Sequence, residues 1–145
     1  MSNTIYDVSN PKCPTQQVLD RVASKWTMLV ILALSEERLR YSQLRGRLPA
    51  ITQKVLTQTL RALERDGVVR RAVYDSVPPK TEYDLTPLGY SLAGAVAVVR
   101  SWAYNNMEDI AAARASYDRH ARSSRLGAPS GSAESNTTDR RSRSA

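Results

Sequence analysis

The stretch ITQKVLTQTLRALERDG, residues 51–67, decides the fold. At roughly 100° per residue Leu56, Leu60 and Leu63 recur along one side of a helix. Lys54, Thr57, Gln58, Arg61 and Arg65 fall in one arc on the other side, and no acid appears until Glu64. A merely solvated face would be soluble with mixed charges, so this sorting implies one face for the core and one for display. Thr52 is a natural N-cap, with Ile51 and Leu56 spaced as a hydrophobic staple. Gly67 can adopt the left-handed conformation that closes the helix.

Immediately upstream, only PAIT (49–52) separates this helix from a short one over about 41–48, in which Leu44 and Leu48 lie four apart and Pro49 forces a stop. Gly46 weakens that helix by about 1 kcal/mol relative to alanine, so packing must hold it. The spacing is that of a helix-turn-helix. Further upstream, KWTMLVILALSEE (25–37) is apolar nearly all round and predicts a buried central helix. A first helix starts at Pro14, with Val18, Leu19 and Val22 turned inward.

Downstream, VVRRAVYDSVPPKTEYDL (68–85) alternates on either side of a turn, with Val69, Arg71 and Val73 on one face and Tyr83 and Leu85 sharing a face beyond it. It predicts a two-stranded antiparallel ribbon whose tip bears Pro78, Pro79 and Lys80. Thr86 then caps another helix with Pro87 at its first position. Along it Leu88, Leu92, Ala95, Val96, Val99 and Trp102 are expected to form a dimerisation face, because LAGAVAVV (92–99) is apolar on every side and one small domain covers only part of it. Past about residue 123, Ser, Gly and Arg dominate and predict a disordered tail. The expected fold is mainly α with a small β-ribbon: a winged helix-turn-helix domain with terminal dimerisation helices. Its parts are an arm over 1–12, the domain over 13–104 with the dimerisation helix beginning near 87, a helical extension over 105–122 and a tail over 123–145.

The 145 residues suit one modest domain. No apolar run spans a bilayer and the N-terminus lacks a signal-peptide layout, so a cytoplasmic protein is expected. A single cysteine excludes an internal disulfide framework and a multi-cysteine metal site. No Gly-rich phosphate loop, paired metal ligands or Ser/His/Asp grouping points to an enzyme, and no cofactor or metal is expected. The net charge is +7, and residues 38–80 hold ten Lys or Arg against Glu64, Asp66 and Asp75, which accounts for all of it. Such concentration is the footprint of a polyanion site.

A helix-turn-helix followed by a ribbon is a winged-helix layout, which gives the displayed face a purpose. On a helix about 21 Å long, Gln58 can contact adenine bidentately, Arg61 or Lys54 guanine, and the Thr57 methyl thymine. Arg65, Ser42, Thr52 and the amide groups at the start of the helix, Gln53 among them, suit phosphate. Lys80, foremost on the ribbon, is placed to follow the adjacent minor groove. Double-stranded DNA is the expected partner. A winged helix that binds protein through the same faces is the alternative, and steep loss of duplex binding with salt separates the two.

CPTQQVLDRVASKWTMLVILAL and YSQLRGRLPAITQKVLTQTLRALERDGVVRRAVYDSVPPKTEYDLTPLG together resemble the HxlR-type winged-helix regulators, relatives of the MarR-like repressors, over residues 11 to about 104. The anchors are Cys13-Pro14, Lys25-Trp26-Thr27, Leu48-Pro49 with Ile51, Gln53-Lys54 with Leu56-Thr57, Asp66-Gly67, Val77-Pro78-Pro79 with Glu82-Tyr83, and Leu85-Thr86 with Leu88-Gly89. Ala50 stands where the turn commonly has Gly, and Ala23-Ser24 where small Gly pairs precede Lys-Trp. The resemblance implies a homodimeric transcriptional regulator, a repressor by analogy, with a pseudo-palindromic operator and a small-molecule, redox or electrophile effector. It also implies a sensing role for Cys13, whose place ahead of a helix N-terminus favours thiolate. A thiol that only packs is the other reading. Trp26 and Trp102 are read as packing residues rather than a ligand pocket, and His120 is given no role.

Overall fold

The structure, a computed structural model, describes residues 6–127. In chain order it contains α1 (Pro14–Val22), α2 (Lys25–Glu36), β1 (Leu39–Arg40), α3 (Tyr41–Arg47), α4 (Gln53–Arg65), β2 (Val69–Tyr74), β3 (Lys80–Leu85) and α5 (Pro87–Leu126). It is the mainly helical, winged fold expected from the sequence. Among the described residues, those up to Tyr104 form one unit and those from Asn105 a second.

The core of the first unit gathers the apolar face of each element. α2 contributes Val30, Ile31 and Leu34, all fully buried, and α4 contributes Leu56, Leu60 and Leu63. Leu44 from α3, Val69 from β2 and Tyr83 and Leu85 from β3 join them, and Gly89, Ala93 and Val96 of α5 are buried as well. Both ends of α4 close as their residues dictate. The Thr52 hydroxyl accepts from the Val55 amide at 3.2 Å, a cap worth about 1 kcal/mol, and Gly67 takes φ +74°. At the next helix the Thr86 hydroxyl accepts from the Gly89 amide at 3.1 Å and donates to the Gly67 carbonyl at 2.5 Å, which ties the start of α5 to the end of α4.

Four expectations are corrected. The sheet has three strands in the order β1-β3-β2, because Leu39 and Arg40 pair with Tyr83 and Glu82; two residues are too few to show alternation. In α1, Val18 and Leu19 are about half exposed and only Val22 packs on the core, because none of the described residues forms a second layer over that helix. Val96, assigned to the dimerisation face, is 2% exposed, since it shares an angular sector with Gly89 and Ala93. Finally, α5 continues to Leu126, so residues 123–126 are helical. Poor apolar content argues against packing, not against local helix bonds, and here the Ser124 hydroxyl donates to the His120 carbonyl at 3.0 Å. Residues 128–145, the remainder of the expected tail, lie outside the described residues, as do residues 1–5.

β2 and β3 pair antiparallel from Val69↔Leu85 to Tyr74↔Lys80. Near the base of this wing the Asp84 carboxylate accepts from Arg70 (2.5 Å) and Arg38 (3.2 Å), and these two guanidiniums, Arg70 first, hold its pKa below the ordinary 3.8. A depressed carboxylate contributes stability that is present above its unfolded pKa and lost as pH falls through the folded value. Asp84→Asn is therefore expected to cost about 1 kcal/mol at neutral pH, discounted because both arginines are half exposed. The difference in melting midpoint between the two proteins should be constant above about pH 5 and close below about pH 4.

Candidate nucleic-acid interface

α3 and α4 stand as a helix-turn-helix, joined by five residues (48–52) because α3 ends at Arg47, one residue before the expected Leu48, with Ile51 buried beneath the turn. Because the leucines of α4 face α2, the opposite arc is left to solvent: Gln53, Lys54, Gln58, Arg61 and Arg65 are all exposed. Thr57 is not. It is half buried, and its hydroxyl lies 3.1 Å from the phenol of Tyr41, which also donates to the Gln53 carbonyl at 3.2 Å. Tyr41 thus fastens the first turn of α3 to the first turns of α4.

The sequence-predicted residues sort into three groups. Thr57 and Arg61 line one polar hollow with Glu64, Arg71 and Tyr83, between α4 and the wing. Ser42 and Lys80 line another with Arg40, Tyr41, Pro78, Pro79 and Thr81, so the wing tip and the start of α3 share a groove. Gln58 lies on the other flank of α4, in a shallow depression with Arg21, Ser24, Thr27, Thr59 and Ala62. Thr52 is occupied as the cap, and Lys54 and Arg65 mark the two ends of the exposed arc.

Ion pairing redraws the charge map. Arg38 pairs with Asp84 and Glu82, Arg47 with Glu36 (2.9 Å) and Glu37, and Arg70 with Asp84; Arg71 approaches Glu64 at 3.8 Å. Apart from Glu64, these acids sit just outside residues 38–80, so the charge of that window overstates what is displayed. Among the described residues, the basic side chains of the window that make no ion pair are Arg40, Arg45, Lys54, Arg61, Arg65 and Lys80. They fall on α4, on the last turn of α3 (Arg45) and the residue that leads into that helix (Arg40), and on the wing tip. Sequence reasoning named four of these six and passed over Arg40, Arg45 and Tyr41. The aromatic residue heading a helix between two arginines was the available signal.

Away from this surface, Leu88, Val99 and Trp102 of α5 are more than half exposed, Ala95 is exposed and Leu92 is half buried. Cys13 is buried and occupies the N-cap of α1. Hydrogen bonds from Thr15, its side chain first and then its amide, lower the thiol's pKa from 9.0 against the opposing effect of burial. Trp26 is half buried against the core, with the Lys25 ammonium 4.7 Å from its ring centroid. Among the described residues no helix is long and apolar enough to cross a membrane.

Known proteins share this arrangement. The chain is 41% identical over 103 residues to the uncharacterized HTH-type transcriptional regulator YtfH of Escherichia coli (strain K12), covering 71% of this chain and 82% of that one. The solved structure of ytfH from Salmonella typhimurium superposes with a TM-score of 0.72 at 38% identity, over 75% of this chain and 97% of that one. The redox regulator HypR in its oxidized form gives a TM-score of 0.60 at 39% identity, over 65% and 97% respectively. The HxlR-like helix-turn-helix family matches residues 21–111, the span that contains α2, the helix-turn-helix, the wing and the first part of α5. With the arrangement of its helix-turn-helix and wing in agreement, the chain belongs to the HxlR-like helix-turn-helix family and is a transcriptional regulator of that type.

Proposed function

We propose that this regulator acts in the cytoplasm as a homodimeric repressor that binds double-stranded DNA at a pseudo-palindromic operator, its half-sites one turn of about 10 bp or a multiple apart. The observation that carries this reading is the separation of charge just described. Acids neutralise the arginines at the base of the wing and Arg47 at the end of α3, while the cations of α4, Arg40 and Arg45 at α3, and the wing tip are left for phosphate and base edges. For the homodimer, the support is apolar surface that one chain leaves open: Val18 and Leu19 on α1, and Leu88, Val99 and Trp102 on α5.

Footprinting tests the assembly, and protection of a single asymmetric half-site by a monomer would overturn it. Within the operator, Arg61→Ala is expected to cost about 1–3 kcal/mol and relax preference at one base pair, whereas Lys80→Ala weakens all sequences alike. Equal losses on cognate and random duplex for Arg61→Ala would remove its base-reading role.

Modulation by a redox or electrophilic signal is supported by the depressed pKa of Cys13 and by the similarity to HypR, a redox regulator. A small-molecule effector has a candidate seat in the apolar hollow of about 400 Å³ between α1 and α5, bounded by Val18, Val22, Leu63, Leu88 and Leu92 and edged by the Arg21–Asp66 ion pair. Cys13→Ser is expected to leave operator binding intact and abolish release by diamide or a quinone. Release that persists in the variant would take Cys13 out of the mechanism.

A further inference from the structure

We infer that Tyr41 fixes Thr57 in the rotamer that presents its methyl group, so that α4 reads the 5-methyl of one thymine in each half-site through Thr57. The inference rests on the reading of α4 as the base-contacting helix and adds to it a positioning residue outside that helix.

The argument is one of proton count. A threonine inside a helix divides between two χ1 rotamers, because its hydroxyl can turn back to bond the carbonyl four residues earlier. For Thr57 that carbonyl belongs to Gln53. In this structure the Tyr41 phenol lies 3.2 Å from the Gln53 oxygen and 3.1 Å from Thr57 Oγ1. A carbonyl oxygen only accepts, so the single phenolic proton goes to Gln53. The contact to Thr57 is then a hydrogen bond only if the threonine hydroxyl donates and the phenol oxygen accepts. Tyr41 therefore occupies the carbonyl that Thr57 would otherwise bond and takes the proton with which Thr57 would bond it.

Two consequences follow for recognition. The Thr57 hydroxyl has no proton left for a base edge or a phosphate, and it is turned toward α3. Its methyl sits on another staggered position of the same Cβ, and the residue is only partly buried on the arc that bears Arg61 and Lys54. A methyl in that place matches the one apolar group in the major groove, the thymine C5-methyl. Because the threonine is held before DNA arrives, the contact needs no rotamer ordering on binding.

The test uses the full-length protein and the duplex it enriches from a randomised library, with each thymine replaced in turn by deoxyuridine, which lacks only the 5-methyl. For the wild type, one thymine per half-site should lose about fourfold in affinity on replacement, the equivalent of one buried methyl. In Tyr41→Phe that thymine-to-uracil ratio should fall close to one, and because the ratio compares two duplexes on the same protein it does so whether or not the lost contacts lower the melting midpoint or the affinity for duplex as a whole, a result that a purely structural tyrosine would not give. Thr57→Val should keep the ratio whether residue 41 is Tyr or Phe, and Thr57→Ser should abolish it. The two Thr57 variants leave Tyr41 in place and decide the matter even if Tyr41→Phe melts early. An enriched sequence with no methyl-sensitive thymine, or a Thr57→Ser protein with the wild-type ratio, overturns this inference alone. Failure to enrich any sequence overturns the DNA-binding reading with it.

Discussion

Gly89→Ala is expected to lower stability by about 3 kcal/mol, the upper end of what overpacking costs, and to drop the melting midpoint by roughly 10 °C or more. A Cβ built on Gly89 would stand 2.1 Å from the carbonyl oxygen of Val68 and 3.1 Å from Cβ of Leu85. The obstacle is backbone rather than a flexible side chain, so nothing nearby can swing aside. That same oxygen accepts from the Thr86 amide at 3.1 Å, and moving it would loosen the junction that joins α4, the wing and α5. Gly94 is the control. It lies in the same helix with nothing within 4 Å of an added Cβ, and Gly94→Ala should stabilise by up to about 1 kcal/mol through reduced backbone entropy in the unfolded chain. Thermal melts of the two variants check the contrast. A Gly89→Ala protein that melts with the wild type would mean that α5 does not approach Val68 as closely as the structure has it.

What the sequence made legible, and what it hid, divides along the range of the interactions involved. The α4 stripe, the Thr52 cap, the Gly67 turn and the Thr86 cap are all set within a few residues, and each stands in the structure as the local pattern implies. The wing pairing was legible because its two strands are joined by a short turn. By contrast, β1 meets β3 across more than forty residues and is two residues long, too short for any periodicity to register. The Tyr41–Thr57 bond spans sixteen residues and two elements, so no window contained it. Val96 was misassigned because a helix apolar on every side does not say which sector faces its own core; the close approach at Gly89 settles that angle.

Charge was the subtlest case. A count over residues 38–80 finds where basic residues gather in the chain but cannot tell a displayed arginine from a neutralised one, since Glu36, Glu37, Glu82 and Asp84 reach into the window from either side in space. The distinction has a large measurable consequence. On duplex DNA, affinity falls with salt in proportion to the phosphates neutralised, with a log–log slope of about −0.9 for each. If the five basic residues of the window that carry neither an ion pair nor the base-reading role given to Arg61 each meet one phosphate, affinity for the operator is expected to fall about 500-fold per bound chain between 50 and 200 mM salt. Titrations of fluorescent duplex across that range measure the slope. Lys54→Ala and Arg65→Ala should each make it shallower by about one, while Arg70→Ala and Arg38→Ala, whose guanidiniums are already bound to Asp84, should leave it where it was. Equal effects from the two pairs of variants would mean that Asp84 releases its arginines when DNA arrives, and that the wing base belongs to the contact surface after all.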